Sequence, residues 1–383
     1  MKVLNLMKTS VGGAWALRQM KELVRLGVEV HAVLPDRGPL YAAYVESGIQ
    51  VHLLAADFPL LKPWLLATRL KTLRNLVVDL QPDIVHSHFV GTTLSMRLAL
   101  RRDPYLPRIF QVPGPLHLEQ ALFRWGEIAT ARSNDFWIGT CSATRRRYLQ
   151  SGIPAQRLFL CFYGTYPELF LQREVKGKLR AELGLAEDIP IVGMVAFMYK
   201  PKRIMGKRRG VKGHEDLIDA VALAALKVPE LNVVFVGGAW GCAHDYEKTI
   251  RRYADERIPG RAHFLGTRND VAALYADFDL AVHPSHSENL GGAGESLLMG
   301  IPTIASDVGG FPDIVIPGKT GWLVPPEKPA LLADAIVRAL SHRDEGRRLA
   351  ANGREWVKEH CDVRRTARQV FDVYQTVLGA CVS

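Results

Sequence analysis

Short apolar runs alternate with helical patterns along this chain, and the alternation starts a second time near its middle. Lys2 to Met7 has the pattern of a strand, Gly12-Gly13 that of a turn and Ala14 to Leu26 that of a helix, and Val28 to Leu34 follows as a second strand. This order is typical of a parallel, doubly wound sheet with helices on both faces. The N-terminal half is therefore predicted to be an α/β domain.

The alternation restarts after a charged stretch, Leu171 to Asp188, with apolar strands at Ile191–Ala196 and Asn232–Val236. A chain of 383 residues is long for one core, so two doubly wound domains are expected, at 1–170 and 171–365. Ligands of such folds bind beyond the carboxyl ends of the strands, which predicts a site in a cleft between two facing domains.

Composition narrows the class of protein. No apolar run is long enough to span a bilayer, and the five cysteines form no C-x-x-C pair, which favours a reducing, cytoplasmic compartment. The net charge of +10 is uneven, because residues 1–170 carry +8 and residues 171–383 only +2. Such an excess attracts a membrane surface, a nucleic acid or an acidic substrate, or serves solubility alone.

Two segments carry residues suited to phosphate. Tyr199 to Lys212 contains seven basic residues and no acid, and it lies between a strand and a helix, where phosphates bind; a solvated basic loop is the alternative. His283 to Gly310 places carboxylates on both sides of a glycine turn whose N–H groups suit a diphosphate. Its residues of interest are Glu288, Gly291, Gly292, Gly294 and Glu295, the last of which is expected to open a short helix.

The order and spacing of these motifs, together with those given below, resemble the family-4 retaining glycosyltransferases of the GT-B fold over nearly the whole chain. The pattern of a serine-rich turn, two glutamates around glycine and a closing G-x-P is met by Ser285, Glu288, Gly291, Glu295 and Gly300-Ile301-Pro302. Further matching pieces are Gly12-Gly13-Ala14, Pro82 to His88, Lys212-Gly213-His214, Phe264-Leu265-Gly266, Tyr275 to Asp279, Gly309 to Val315 and Gly318 to Gly321.

The resemblance implies a role for each matching residue. Glu288 would contact hydroxyls of the donor sugar, the amides of Gly291 and Gly292 its phosphate or sugar, and Glu295 the donor ribose. Lys212 would neutralise the departing diphosphate. In the N-terminal domain, the loop at Gly12 and Gly13 would close over the donor, and His117 would lie near the reacting sugar, although a lone histidine is more often structural. The helix at about 366–383 would pack back onto the N-terminal domain.

Two departures from the family pattern stand out. Six residues separate Glu288 from Glu295, where the family usually has seven. Phe197 occupies the position of a family arginine, so the basic segment is expected to supply a second cation through Arg203, Arg208 or Arg209.

The predicted function is retaining transfer of a sugar from a nucleoside-diphosphate sugar to an acceptor hydroxyl in polysaccharide or glycolipid synthesis. No metal and no cofactor are expected, because cations and N–H dipoles can meet the charge of the leaving group. A nucleotide-sugar hydrolase or epimerase of the same fold and a non-catalytic basic binding protein are the alternatives. A dehydrogenase is disfavoured, since Gly237-Gly238-Ala239-Trp240-Gly241 lacks the G-x-G-x-x-G spacing.

The acceptor is expected to be acidic and sugar- or lipid-linked rather than a nucleic acid. Phe58 to Leu66 combines leucines with Lys62 and Trp64, a mixture that suits the inner face of an anionic membrane. The alternative is that its leucines pack into the domain core.

Overall fold

The structure, a computed structural model, describes residues 1–170, 176–201 and 208–382. Two compact units make up these ranges. The first unit comprises Met1–Tyr166 together with the segment from His360 onward, and the second comprises Pro167–Glu359. None of the described helices combines the length and the apolar composition needed to cross a bilayer.

The first unit is built on a seven-stranded sheet in the order β3-β2-β1-β4-β5-β6-β7, and all neighbouring strands are parallel. Its strands are β1 Lys2–Leu6, β2 Glu29–Leu34, β3 Gln50–Leu53, β4 Ile84–Ser87, β5 Arg108–Val112, β6 Asp135–Gly139 and β7 Leu158–Leu160. Its helices are α1 Ala14–Arg25, α2 Tyr41–Glu46, α3 Leu66–Leu80, α4 Val90–Ala99, α5 Ala121–Ala129 and α6 Ser142–Gln150.

The second unit has a six-stranded parallel sheet in the order β10-β9-β8-β11-β12-β13. Its strands are β8 Ile191–Val195, β9 Asn232–Val236, β10 Ala262–Phe264, β11 Leu280–His283, β12 Thr303–Ser306 and β13 Trp322–Val324. Helices α7 Lys178–Leu183, α8 His214–Ala224, α9 His244–Arg257, α10 Val271–Tyr275, α11 Gly291–Leu298, α12 Phe311–Ile314, α13 Pro329–Ser341 and α14 Arg343–Cys361 surround it, α14 ending in the first unit.

The prediction of two doubly wound α/β sheets is confirmed. Sequence patterns missed β13 and the charged helices α9 and α14. In α9 the buried residues are Tyr246, Ile250 and Ala254, one per turn, and the rest of the helix is polar. Such a narrow apolar stripe gives only a weak periodic signal.

The last helix, α15 Val363–Val382, packs against α1 in the first unit. Val370, Val373 and Val377 join the apolar core on that face of the sheet. The hydroxyl oxygen of Tyr374 lies 2.6 Å from Nδ1 of His86, which belongs to β4. The end of the chain is thus held by an apolar stripe and by a polar contact within the core.

The contact with Tyr374 belongs to a pair of buried histidines in the first unit. The rings of His86 and His88 stack with centroids 4.2 Å apart, and Nδ1 of His88 lies 2.8 Å from the hydroxyl of Tyr163. Burial lowers the pKa of His88 from 6.5 to about 3, and burial together with the charge of His88 lowers that of His86. Both rings are therefore neutral in the folded protein near neutral pH.

We expect the free energy of unfolding to fall as the pH drops below about 6.5. The unfolded chain takes up protons there while the folded histidines do not, so each such histidine costs about 1.4 kcal/mol per pH unit until its folded pKa is reached. Denaturant titrations at several pH values measure this slope. His88→Gln is expected to flatten it, whereas His342→Gln, at an exposed site, is the matched control. An unchanged slope in His88→Gln would contradict the expectation.

Candidate active site

A pocket of about 120 Å³ opens in the second unit at the carboxyl ends of β8 and β11, beside the start of α11. This is the edge at which parallel sheets bind ligands. Its described lining consists of Met194, Val195, Ala196, Phe197, Tyr199, Lys212, His283, Ser285, Glu288, Gly292 and Phe311. The pocket thus brings together three of the predicted site residues, namely Lys212, Glu288 and Gly292.

Lys212 and Glu288 form an ion pair through Nζ and Oε2 in this pocket, and both side chains are largely buried. Burial opposes the ammonium charge, but the charge of Glu288 and its hydrogen bond prevail and raise the pKa of Lys212. The ammonium also lies 5.8 Å from the ring centroid of Tyr199. The Lys212 ammonium therefore stays charged in a partly buried position, where a charge acts more strongly than in bulk water.

The loop that carries Glu288 is shaped by close backbone contacts. The N–H of Gly310 donates to the Glu288 carbonyl at 3.3 Å, and the N–H of Asn289 donates to Oε1 of the same glutamate at 3.1 Å. Gly309 has φ +54°, and a Cβ there would lie 1.7 Å from the Glu288 carbonyl oxygen. A side chain at this position would displace the loop, so glycine is required for the Glu288 geometry.

Helix α11 begins at Gly291, so the expectation that Glu295 opens this helix is wrong. The glycines themselves adopt the helical start, because without side chains they can approach the strands: a Cβ on Gly292 would lie 3.0 Å from the His283 ring. Glu295 lies one turn further on; burial raises the pKa of Tyr275, and the charge of Glu295 adds to that increase. The N–H groups of the first turn have no partner within the helix and can bind an anion.

The side of the pocket at the end of β8 is aromatic. Phe197, at the position of the family arginine, packs edge-on against Trp240 with ring centroids 5.0 Å apart, and Tyr199 lies 5.9 Å from the same indole. Met198 and Ala239 form a parallel bridge that holds these two segments together. Among the described lining residues, Lys212 is the only one with a formal positive charge.

The three arginines expected to supply a second cation have different surroundings. Arg203 lies outside the described residues, and Arg208 is exposed. Arg209 donates to Asp216 at 2.5 Å and to Asp219 at 2.7 Å, both on α8. These carboxylates already neutralise its charge, so Arg209 ties the residues just before α8 to that helix.

The remaining predicted site residues belong to the first unit. Gly12 and Gly13 lie between β1 and α1, and Gly13 precedes the helix with φ +102°. His117 ends a short 3-10 turn, with Nε2 3.1 Å from the hydroxyl of Tyr148. Burial lowers the pKa of His117 to about 3, so it is neutral near pH 7.

Tyr199 and His283 line the pocket but were not among the predicted site residues. His283 is the last residue of β11, and its Nε2 lies 3.1 Å from the hydroxyl of Ser296. Its position at a carboxyl strand end was a usable signal. Tyr199 follows β8 at the start of the basic segment, and the charge pattern of that segment gives no signal for an aromatic lining residue.

Comparison with known proteins decides the family. Residues 12–164 match the glycosyl transferase 4-like domain, and residues 203–356 match glycosyl transferases group 1. A D-inositol 3-phosphate glycosyltransferase of Corynebacterium diphtheriae is 33% identical over 353 residues, which cover 84% of this chain and 79% of the relative. The chain belongs to the group 1, or family-4, glycosyltransferases. A second protein of that name, from Corynebacterium urealyticum, is 26% identical to this glycosyltransferase. The alignment covers 93% of this chain and 88% of the relative.

The fold of this glycosyltransferase is shared with solved structures. HepE of Anabaena, crystallised with UDP-glucose, superposes with a TM-score of 0.79 at 22% identity, covering 98% of this chain and all of HepE. The likeness confirms the predicted GT-B class, and at this level of identity it concerns the fold alone.

Proposed function

We propose that this glycosyltransferase moves a sugar from a nucleoside-diphosphate sugar to an acceptor hydroxyl with retention of anomeric configuration. The observation that carries the proposal is the partly buried Lys212–Glu288 pair beside the glycine start of α11. A diphosphate leaving group gains negative charge as the bond to the sugar breaks. A held ammonium and free N–H groups stabilise that charge without a metal ion or a cofactor.

The two charges of the pair have separate tasks in this scheme. Lys212 binds the diphosphate, and Glu288, partly released from Lys212 when the anion binds, accepts hydrogen bonds from sugar hydroxyls. The amides of Gly291 and Gly292 face the phosphate or the sugar, and Glu295 holds the ribose. The acceptor oxygen forms the new bond to the anomeric carbon, and its proton leaves with the diphosphate. For Gly12, Gly13 and His117, which belong to the first unit, the family resemblance implies contacts to the donor and to the reacting sugar.

The donor and acceptor classes draw support from the relatives. HepE is crystallised with UDP-glucose, which supports a nucleotide-sugar donor. The Corynebacterium relatives are named for a phosphorylated acceptor, D-inositol 3-phosphate, and the net charge of +8 on residues 1–170 favours an acidic acceptor here as well. We place that acceptor at the cytoplasmic face of an anionic membrane, in polysaccharide or glycolipid synthesis.

A donor panel tests the function. Nucleoside diphosphates are first ranked by thermal shift, because a ligand that binds only the folded state raises its melting temperature. Sugar donors of the best nucleotide are then incubated with and without acceptor extract and with a metal chelator, and the product anomer is assigned by NMR. Transfer that needs the acceptor, survives the chelator and retains configuration is expected. Equal turnover without acceptor would favour the hydrolase, and inversion would reject retention.

A further inference from the structure

An exposed apolar tip stands between β3 and α3 in the first unit. Leu60, Leu61 and Trp64 have exposed fractions of 69%, 88% and 71%, and we call them the tip patch. The N–H of Phe58 donates to the Gly91 carbonyl at 3.2 Å and fixes the base of the tip. The sequence left open whether the leucines of this segment enter the core, and the structure excludes this for Leu60 and Leu61.

The segment that carries the tip patch is basic, and the acid just before it, Asp57, pairs with Lys8 at 3.4 Å. From Phe58 to Val78 the chain has no acidic residue. Lys62 lies within the tip, and Lys71 and Arg74 are exposed on α3 directly behind it. The backbone carbonyl of Asp57 accepts a hydrogen bond from Arg69 at 2.7 Å, which ties the start of the tip to the same helix. The tip therefore combines apolar side chains with a positive field.

A second apolar patch lies at the start of α5. Leu122 and Trp125 are 75% and 70% exposed, and Phe123 is also exposed; we call these residues the helix patch. Arg124 lies among them and is exposed too. A nine-residue helix that leaves this much apolar area in water has an unpartnered surface.

The fold brings both patches to one edge of the first unit. Val85 on β4 belongs to an apolar cluster that includes residues of α3 and α4. Phe110 on β5, one strand over and on the same face, belongs to a second cluster, against which the start of α4 and the end of α5 pack. Helices that follow parallel strands begin at the carboxyl edge of the sheet. Gly91 and Val90, in the first turn of α4, contact Phe58 on one side and the cluster of Leu118 on the other. The tip patch and the helix patch thus flank the start of α4.

We propose that the tip patch and the helix patch together form the surface by which this protein binds an anionic bilayer. Tryptophan favours headgroup depth, leucines enter the acyl boundary, and lysine and arginine meet anionic headgroups. Nucleic-acid binding relies on contacts between basic side chains and phosphates, which two exposed leucines cannot make. Protein interfaces are depleted in lysine relative to the rest of a protein surface, which disfavours a protein partner. The inference deepens the membrane placement proposed above and is independent of sugar transfer.

Vesicle co-sedimentation with the full chain tests this surface. Wild type is mixed with phosphatidylcholine vesicles that contain or lack phosphatidylglycerol, at low and high salt. The tip variant, Leu60→Ser/Leu61→Ser/Trp64→Ser, is expected to bind at least about tenfold more weakly. The charge variant, Lys62→Gln/Lys71→Gln/Arg74→Gln, is expected to lose about fivefold in affinity for each charge removed, at low salt. Leu226→Ser/Leu331→Ser, which alters exposed leucines of the second unit, is the matched control and should bind like wild type.

The outcomes separate the possible errors. Wild type that ignores anionic vesicles at low salt, or that binds nucleic acid in their place, overturns the membrane inference. Binding that persists unchanged in the tip variant overturns the assignment of the surface. The nucleoside-diphosphate thermal shift must be unaltered in the tip variant, which shows that the protein is folded. Lipid binding as expected in a protein that transfers no sugar would reject the proposed reaction and leave this surface standing.

Discussion

Lys212→Ala is expected to lower kcat/KM for the sugar donor by about 100-fold or more. The ammonium is the only formal positive charge in the described lining of the pocket, and removing a preorganised group that meets the charge of the leaving group typically costs about 10²–10³ in rate. Affinity for the free nucleoside diphosphate should fall as well, because the same charge binds the product. Steady-state kinetics and thermal shift measure the two effects.

Two controls accompany this substitution. Lys200→Ala removes an exposed lysine from the same basic segment and should leave the kinetics unchanged. Lys212→Ala also leaves the Glu288 carboxylate without its partner, so Lys212→Ala/Glu288→Gln separates a loss of stability from a loss of chemistry. A folded Lys212→Ala protein with wild-type turnover would remove Lys212 from the mechanism.

Glu288→Gln should lower kcat by about 100-fold or more while the affinity for the free nucleoside diphosphate changes by less than about threefold. The carboxylate is assigned to the sugar, whose charge and shape change most in the transition state, so its loss acts on kcat. Removal of its charge also frees Lys212 for the diphosphate, which protects nucleotide affinity. Burst-phase kinetics and a nucleotide titration measure the two quantities.

Glu295→Gln is the matched comparison, because it makes the same chemical change one turn into α11. It should weaken nucleoside-diphosphate binding about tenfold or more through the lost hydrogen bonds to ribose. Should Glu288→Gln lose nucleotide affinity while Glu295→Gln loses only kcat, the roles of the two glutamates must be exchanged.

The basic segment shows why sequence reasoning could not distinguish between its arginines. The sequence gives no means of telling Arg208 from Arg209, because both follow the same strand and precede the same helix. In the structure Asp216 and Asp219 on α8 engage Arg209, whereas Arg208 is exposed to solvent. These carboxylates lie seven and ten residues further along the chain, and only the turn of the loop onto α8 brings them into contact with Arg209.

The amino-acid sequence was sufficient to predict the two doubly wound sheets, because strand and helix periodicities and glycine turns are local properties of the chain. It also determined the family, since the order of the motifs is linear. The tertiary structure was needed to show that Lys212 and Glu288, 76 residues apart, form one partly buried pair. It alone placed Leu60 and Leu61 in solvent, since burial depends on which elements pack against a segment.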